Sequence, residues 1–389
     1  MRLYFDYAAS TPVDPRVLEA MQPYFRDIFG NPGSLHSFGQ EALSAVDASR
    51  ETIAKAIGAE FREIIFTGSA TEANNLALRG AIRVVRNNIK NPKIIISCIE
   101  HESVLETAQD LEKDGAEVVR LPVDKRGIVD PADLARELNE RTALVSIMYA
   151  NNEIGAVNNI ERLSRTVSDF RNDKFYPLLH TDAAQALQFL DCGVEKLGID
   201  LMTLSAHKIY GPKGVGALYI RNGSVLAPIL TGGGQEFGWR SGTENVPAIV
   251  GFSKAVELIG VGARLPVGRR ELESKRILEL RDYFWDELKK ICSQAEINGP
   301  ENSADKLPNI INVYFPGRKA EDLLAEFDLA GLAVSAGSAC RSRAVDSSYV
   351  IEALGYPKER ARQSIRFSLG GPTTKVEVDN ALTVIKNCL

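Results

Sequence analysis

Residues 63–98 read EIIFTGSATEANNLALRGAIRVVRNNIKNPKIIISC, and this stretch contains one complete β-α-β unit. Glu63–Thr67 and Lys93–Cys98 are short runs that are rich in isoleucine, as is typical of strands covered by helices on both faces. Thr71–Val85 lies between them and is amphipathic with helical spacing. Two strands joined by a helix favour a parallel sheet.

The same alternation of short β-rich runs and amphipathic stretches continues on both sides of this unit. Further strands are predicted at 116–121, 143–150, 178–181, 201–205 and 215–220, and further helices at 41–57, 103–114 and 160–170. We therefore predict an α/β fold with a mostly parallel sheet.

Beyond residue 260 the order of the elements changes. The glycine-containing segment 260–268 interrupts the helical pattern between two predicted helices, 246–259 and 272–291. Strands at 309–315, 332–335 and 364–369, with helices at 320–327 and 374–387, predict a smaller α+β unit. Residues 336–346 (AGSACRSRAVD) are small and polar, which is typical of a surface loop.

The composition excludes several classes of protein. The chain has 389 residues, of which 44% are hydrophobic and 25% charged, so it is long and apolar enough for a large folded core. Its net charge of −5 argues against a broad surface for nucleic acid or for an anionic membrane. We find no apolar run of membrane-spanning length and no secretory signal in MRLYFDYAAS.

The cysteines and histidines indicate the cellular compartment and whether the sequence predicts a metal site. The five cysteines form no C-x-x-C motif, which indicates free thiols in a reducing cytoplasm. The four histidines show no metal-ligand spacing, so no metal site is predicted.

Residues 205–216, SAHKIYGPKGVG, are the most informative stretch for chemistry. Lys208 follows an apolar strand and precedes a loop rich in glycine and proline. A lysine at a strand end can form a covalent bond with a carbonyl cofactor, although a surface lysine in a turn explains the segment about equally well. The segment lacks the pattern of a phosphate-binding Walker loop.

Other polar residues also follow predicted strands. Asp182 suits a pyridinium nitrogen or a helix cap, and Gln185 can donate to a ring hydroxyl. Residues 67–75 can hold a phosphate at a helix start, while His101 suits a stacking or a structural role. Asn151–Gly155 follows a further strand. Because all these segments lie at carboxyl ends of strands, where open α/β sheets bind ligands, we predict one shared site.

The segments together resemble a known family. They are TGSATEANN, EHESV, NNEIG, HTDAAQ, SAHKIYGPKGVGALY, GGGQEF-x-WRSGTENV, SAGSAC and SIRFSLG, in this order along nearly the whole chain. The set is similar to the NifS/IscS-type cysteine desulfurases, in the class V aminotransferase group of pyridoxal phosphate (PLP) enzymes. The resemblance implies the PLP-dependent transferase fold (fold type I). It also implies a large PLP-binding domain over 15–262, and a small domain of 1–14 and 263–389 that carries a catalytic cysteine loop.

The resemblance also implies roles for individual residues. Lys208 binds PLP, Asp182 pairs with its ring nitrogen, and His101 stacks on the ring as a catalytic residue. The further implied cofactor contacts are Ala70, Thr71, Asn152, Gln185 at the ring hydroxyl, Ser205 and His207 at the phosphate, and Thr243 from the other subunit of a homodimer. Asn152 and Arg366 hold the substrate carboxylate. A lone arginine on an apolar strand needs an anion, which favours this role over a packing or surface arginine.

Cys340 is the implied nucleophile of the reaction. It takes sulfur from L-cysteine as a persulfide, leaves L-alanine, and passes the sulfur to an acceptor or scaffold protein for iron–sulfur cluster assembly. Arg341 and Arg343 flank Cys340 and favour its reactive thiolate. Cys340 is also a candidate ligand for a transferred cluster, and no other metal ligand is implied.

Two alternatives stay open at this point. One is another PLP enzyme of the same fold, such as a selenocysteine lyase or a small-amino-acid transaminase; the other is a non-catalytic protein that binds a partner. Cys340 argues against a transaminase, and the intact set of Lys208, Asp182 and His101 argues against a non-catalytic protein. Phe237 departs from the family, whose members often carry arginine there, and we expect it to alter the packing of its loop.

Overall fold

The computed structural model describes residues 2–172, 174–260, 269–337 and 347–389. Its strands are β1 (Leu3–Tyr4), β2 (Ile64–Thr67), β3 (Lys93–Ser97), β4 (Glu117–Leu121), β5 (Thr142–Ser146), β6 (Leu178–Asp182), β7 (Leu201–Ser205), β8 (Gly216–Ile220), β9 (Glu296–Asn298), β10 (Ile310–Tyr314), β11 (Leu332–Ala333) and β12 (Ser364–Ser368). Its α-helices are α1 (Pro15–Met21), α2 (Pro23–Arg26), α3 (Ser37–Ile57), α4 (Ala70–Val85), α5 (Glu102–Lys113), α6 (Pro131–Glu137), α7 (Ile160–Arg171), α8 (Val194–Leu197), α9 (Val246–Ile259), α10 (Arg269–Ile291), α11 (Ala320–Leu329), α12 (Tyr349–Ala353), α13 (Lys358–Ala361) and α14 (Lys375–Cys388).

A seven-stranded sheet forms the centre of the α/β part, with strand order β2-β8-β7-β6-β5-β3-β4. All neighbours pair in parallel except β8, which is antiparallel to both β2 and β7. The connection from β7 to β8, residues 206–215, is shorter than the crossover that a parallel pair needs. The predicted mostly parallel sheet is thus confirmed, and the exception follows from this short loop.

Helices cover both faces of the seven-stranded sheet. Alternate strand residues enter two different apolar clusters, since successive side chains point to opposite faces. One cluster joins the sheet to α4 and α5, and the other joins it to α3 and to α6–α9. Burial on both faces explains why these strands are apolar throughout rather than alternating.

The C-terminal part builds a separate apolar cluster. An antiparallel sheet of order β12-β10-β9 packs with α10, α11 and α14, and β1 pairs in parallel with β11. Leu3 and Phe5 from the N-terminal segment belong to this cluster. The division into two domains stays a prediction, and residues 261–268 at its boundary lie outside the described residues.

The structure differs from the sequence prediction mainly in short elements. The strand predicted at 143–150 ends at Ser146, and the one predicted at 332–335 has only two residues. Six short helices were not predicted: α1, α2, α6, α8, α12 and α13. Helices of one or two turns carry too few residues for a 3.6-residue period to show. In the described part of the chain, no helix is long and apolar enough to cross a bilayer.

Candidate active site

A cavity of about 200 Å³ lies where β2, β3, β5, β6 and β7 end. Because these strands run in the same direction, the segments that follow them meet at one edge of the sheet. The predicted site residues that line the cavity are Ala70, Thr71, His101, Asn152, Asp182, Gln185, Ser205, His207, Lys208 and Arg366. The fold therefore gathers side chains that are almost 300 residues apart in the chain.

Lys208 lies in a turn of 3₁₀ helix directly after β7. Its Nζ donates hydrogen bonds to the backbone oxygen of Ala8 at 2.6 Å and to that of Ala9 at 2.9 Å. The N-terminal segment thus holds the amine in place at the cavity. Gln185 Nε2 donates to the same Ala8 oxygen at 2.9 Å.

Asp182 is the last residue of β6, and its carboxylate is held by two donors. Asn74 Nδ2 on α4 donates to Asp182 Oδ2 at 2.8 Å, and the Ala184 backbone N–H donates to Oδ1 at 2.9 Å. A carboxylate only accepts hydrogen bonds, so both of these donors suit it. The side chain lines the cavity as an anion that a cationic ring nitrogen would match.

His101 is the N-cap of α5 and also lines the cavity. Its Nδ1 accepts from the Ser103 backbone N–H at 3.1 Å and lies 2.9 Å from Ser103 Oγ. Burial lowers the pKa of His101 from its usual value, although the Asp182 carboxylate acts in the opposite direction. One ring nitrogen thus serves the helix cap, as the structural interpretation expects, and the stacking role of His101 stays a prediction.

Ser205 and His207 lie beside the start of α4. Ser205 Oγ is buried and has no hydrogen-bond partner among the described residues. Burial lowers the pKa of His207 to about 4, with the cations of Lys208 and Lys213 adding to the shift. The first amides of α4 have no acceptor within their own helix, so this corner offers neutral donors to an anion.

Gly216 lets the backbone of β8 approach α4 closely at this corner. A Cβ atom there would stand 2.8 Å from the Ser69 carbonyl carbon and 2.9 Å from the Ala70 nitrogen. Real Cβ atoms do not approach backbone atoms so closely, so only glycine fits.

Arg366 lies on β12 and is almost fully buried, with 1% of its surface exposed. Its Nη2 donates to Asp6 Oδ1 at 2.6 Å, and its Nη1 donates to the Asn152 backbone oxygen at 2.8 Å. The sequence argument that this arginine needs an anion was incomplete, because Asp6 supplies one within the chain. Its Nε is buried and has no partner among the described residues.

Thr243 is exposed and does not line the cavity of its own chain. Its loop is fixed by two ion pairs, Glu236 with the buried Arg50 and Arg240 with Glu72, each with a shortest distance of 2.7 Å. The ring of Phe237 packs over Arg50, with 4.9 Å from the guanidinium carbon to the ring centre. Phe237, which departs from the family pattern, is thus part of the packing of this loop.

Cys340, Arg341 and Arg343 lie outside the described residues. Two described residues that flank this segment, Gly337 before it and Ser348 after it, lie close to the Glu153 carboxylate. Ser348 Oγ donates to Glu153 Oε2 at 2.6 Å, and a Cβ atom added at Gly337 would stand 3.1 Å from the same oxygen. Within the described ranges, no cluster of three or more histidine, cysteine, aspartate or glutamate side chains is arranged for a metal ion.

Comparison with known proteins identifies the family of the chain. The aminotransferase class-V family matches residues 3–381. A curated cysteine desulfurase IscS from Dictyoglomus turgidum is 45% identical over 387 residues, which cover 100% of this chain and 94% of the relative. The chain belongs to the class-V aminotransferases and, among them, to the cysteine desulfurases.

A further curated relative and two solved structures agree with this identification. The IscS 1 enzyme of Archaeoglobus fulgidus is 43% identical, with 98% of this chain and 95% of the relative covered. A NifS-like protein of known structure has a TM-score of 0.90 at 37% identity, covering 100% of this chain and 99% of its own. A structure described as SspA in complex with cysteine has a TM-score of 0.79 at 36% identity, covering 94% and 98%. The predicted PLP-dependent transferase fold is confirmed.

Cysteine desulfurases use PLP, and the residues of this cavity fit that cofactor. Its phosphate needs donors, and Ser205 Oγ is a buried hydroxyl without a partner among the described residues. Its ring nitrogen needs an anion, which Asp182 supplies, and its aldehyde needs an amine, which Lys208 supplies.

Sequence reasoning missed several residues that hold the desulfurase site together. Asp6 and Arg366 are 360 positions apart, and no sequence pattern links them. Glu100 is fully buried beside His101, yet the sequence showed only a charged residue in a loop. Asn74 could have been recognised in the sequence, because it is a polar residue on the apolar face of α4, between Ala73 and Leu76.

Proposed function

We propose that the chain desulfurates L-cysteine with PLP, passes the sulfur to Cys340, and releases L-alanine. The cysteine desulfurase activity belongs to its family; the roles of individual residues are our assignment. One observation carries the proposal: a single cavity contains the amine of Lys208 and a buried arginine, Arg366, whose Nε has no partner among the described residues.

The cofactor contacts follow from the hydrogen-bonding capacity of each side chain. Lys208 would bind the cofactor and later move the proton of the substrate Cα, and Asp182 would pair with the ring nitrogen. The proposed phosphate and ring-hydroxyl contacts are Ala70, Thr71, Ser205, His207 and Gln185, with Asn152 beside the substrate. When bound, PLP withdraws electrons from the substrate and makes its sulfur open to attack by a thiolate.

The substrate is an amino acid, whose carboxylate suits Arg366. Asp6 and Asn152 engage two of the five guanidinium N–H groups, so donors remain for a carboxylate, among them the N–H of the unpartnered Nε. The fixed partners orient the guanidinium before the substrate arrives, and this lowers the cost of binding. The relative solved with cysteine supports L-cysteine as the substrate.

Cys340 is the proposed sulfur carrier. A thiolate attacks more readily than a thiol, and the neighbouring Arg341 and Arg343 would favour it. The sulfur acceptor is a scaffold protein for iron–sulfur clusters, and Cys340 is a candidate ligand for a cluster transferred there. The described cysteines are all free thiols, which supports a reducing cytoplasm as the site of the reaction.

The active species is a homodimer in which Thr243 of one subunit contacts the phosphate in the other. The exposed position of Thr243, away from its own cavity, supports this arrangement. The two ion pairs of its loop would keep the threonine in one position for the partner.

The test is to incubate the protein with L-cysteine and a reductant and to measure alanine and sulfide, which should appear in equal amounts. Cys340→Ala should keep PLP and show the substrate-dependent change of the visible spectrum, but form no persulfide. Lys208→Ala should show no such change. Cys98→Ala, which removes a different thiol that is half-buried, is the control and should react normally. Near-normal turnover by Cys340→Ala would show that another thiol is the nucleophile.

A further inference from the structure

Four side chains form a continuous hydrogen-bonded row at the wall of the cavity: His101, Ser103, Asn74 and Asp182. Asn74 Nδ2 lies 2.8 Å from Asp182 Oδ2 and also 2.8 Å from Ser103 Oγ, and Ser103 Oγ lies 2.9 Å from His101 Nδ1. Asn74 is fully buried and Ser103 is nearly so. The row therefore links Asp182 to His101 through two buried side chains, and every member except Asn74 lines the cavity.

The Asp182 end of the row fixes the direction of its hydrogen bonds. A carboxylate only accepts, so the amide nitrogen of Asn74 must face it. The opposite orientation of the amide would turn Asn74 Oδ1 toward the carboxylate, where two acceptors would repel each other. In the present orientation, the second N–H of Asn74 donates to Ser103 Oγ, which leaves the Ser103 hydroxyl proton to donate onward to His101.

The His101 end fixes the same direction independently. The Ser103 backbone N–H donates to His101 Nδ1 at 3.1 Å, and a backbone N–H cannot reverse its role. Nδ1 thus accepts from both the backbone and the hydroxyl of Ser103 and carries no proton itself. A neutral imidazole has one N–H, which must then lie on Nε2.

We propose that Asn74 and Ser103 are positioning residues that hold His101 as the Nε2–H tautomer, so that it meets its ligand as a hydrogen-bond donor. This inference rests on the proposed function only in taking His101 as the residue that faces the cofactor and substrate.

The tautomer limits what His101 can do in the resting enzyme. Its basic nitrogen, Nδ1, is occupied by two donors, and its free nitrogen already carries a proton. His101 therefore cannot take a proton from the substrate in this state. That task falls to another base, and Lys208 is the amine at the same cavity. Burial lowers the pKa of His101, which agrees with a neutral ring.

Nitrogen NMR of the holoenzyme tests the tautomer without measuring turnover. The chain has only four histidines, so ¹⁵N-histidine labelling gives few signals, and the signal absent from His101→Gln is that of His101. Without substrate, near pH 8, which is above the ordinary histidine pKa of about 6.5, His101 should show a protonated Nε2 and an unprotonated Nδ1. A protonated Nδ1 or a doubly protonated ring would overturn the inference.

Variants separate positioning from a general effect on the structure. Ser103→Ala keeps the backbone donor but loses the hydroxyl, so the ratio of the Nε2–H to the Nδ1–H form should fall about fivefold, the equivalent of one neutral hydrogen bond. Ser103→Thr keeps a hydroxyl and should restore the ratio. Asn74→Ala should lower it too, whereas Asn75→Ala, at the neighbouring asparagine that bonds within α4, should not.

An unchanged ratio in both Ser103→Ala and Asn74→Ala would overturn the positioning role. Failure of the alanine and sulfide assay, with the predicted tautomer observed, would reject the proposed function and leave this inference standing. Each experiment can therefore reject its own proposal without rejecting the other.

Discussion

At the scale of a single residue, the Ser205 hydroxyl differs from the buried polar groups of a protein core in its lack of a hydrogen-bond partner among the described residues. The hydroxyl is buried, and no described residue bonds to it, whereas buried polar groups in a finished core nearly always have a partner. A ligand atom that accepts from this hydroxyl would gain a hydrogen bond without displacing another.

We predict that Ser205→Ala weakens PLP binding about tenfold or more, since a hydrogen bond to a charged group contributes about 1.5–3 kcal/mol. The dissociation constant is measured by titrating cofactor-free protein with PLP and following absorbance. Ser49→Ala is the matched control, because the Ser49 hydroxyl is also buried but donates to the Ala45 oxygen of its own helix. Equal PLP affinities for the two variants would contradict the phosphate role.

Glu100 illustrates the cost of a buried carboxyl group at the same scale. Its Oε1 accepts from Ser97 Oγ and from the Met148 backbone N–H, both at 2.7 Å, but Oε2 has no partner among the described residues. Burial raises the pKa of Glu100 to about 8, so the folded protein holds this carboxyl protonated at neutral pH.

The raised pKa of Glu100 predicts a pH dependence of stability. In the unfolded chain the carboxyl ionises near pH 4.3, so the unfolded state binds fewer protons than the folded state up to about pH 8. The free energy of unfolding therefore falls as the pH rises through this window. Glu100→Gln should remove a slope of about 1 kcal/mol per pH unit in urea unfolding between pH 5 and 8. Glu321→Gln, at an exposed carboxyl, should keep the wild-type slope.

At the scale of secondary structure, β8 contacts the start of α4 closely, beside Ser205 and His207. This contact shapes the corner of the cavity where we propose that the PLP phosphate binds. We predict that Gly216→Ala loses most of its PLP affinity, because the added Cβ would displace the backbone of Ser69 and Ala70 at the start of α4. The same titration measures this effect. Gly193→Ala should bind PLP normally, because the nearest atom to a Cβ there is a flexible side-chain oxygen at 3.3 Å. Similar affinities in both variants would show that the corner tolerates the shift.

The sequence predicted long elements well, for reasons that single elements make clear. Helix α9 was predicted with its observed bounds, since Pro247 opens it and Gly260 ends it at a φ of 78°. Helix α6 was missed, because its seven residues show little periodicity. The antiparallel direction of β8 was not predicted either, although the short loop between the predicted strands 201–205 and 215–220 already leaves too few residues for a parallel crossover.

The site was predictable where residues follow strands and not where distant segments meet. Lys208 and Asp182 each follow an apolar run, and this placed them at the cavity. The acceptors of the Lys208 amine are backbone oxygens of Ala8 and Ala9, which no pattern of side chains can reveal. Asp6 lies as close to Arg366 as an ion pair allows, but only the folded chain brings them together.

At the scale of the whole molecule, the proposed homodimer makes a prediction that a monomer would not. The test is to mix Lys208→Ala subunits with Thr243→Ala subunits. Each variant alone should form a homodimer that is inactive or nearly so. In the mixed dimer, the site with an intact Lys208 also receives an intact Thr243 from its partner, so activity should return to about half of that of the wild-type dimer. If Thr243 acted within its own subunit, every site would lack one residue and mixing would restore nothing.

The ion pair between Asp6 and Arg366 can form only after residues 1–366 have been made. During synthesis, Asp6 leaves the ribosome early, and β2 through β8 can pair once residue 220 has emerged. The arginine is added on the order of ten seconds later, at about 5–20 residues per second. Until then the nascent chain contains Lys208, Asp182 and the acceptors of the lysine amine, but it lacks Arg366. Translation thus produces the residues that we propose to bind the cofactor before the arginine that we propose to bind the substrate.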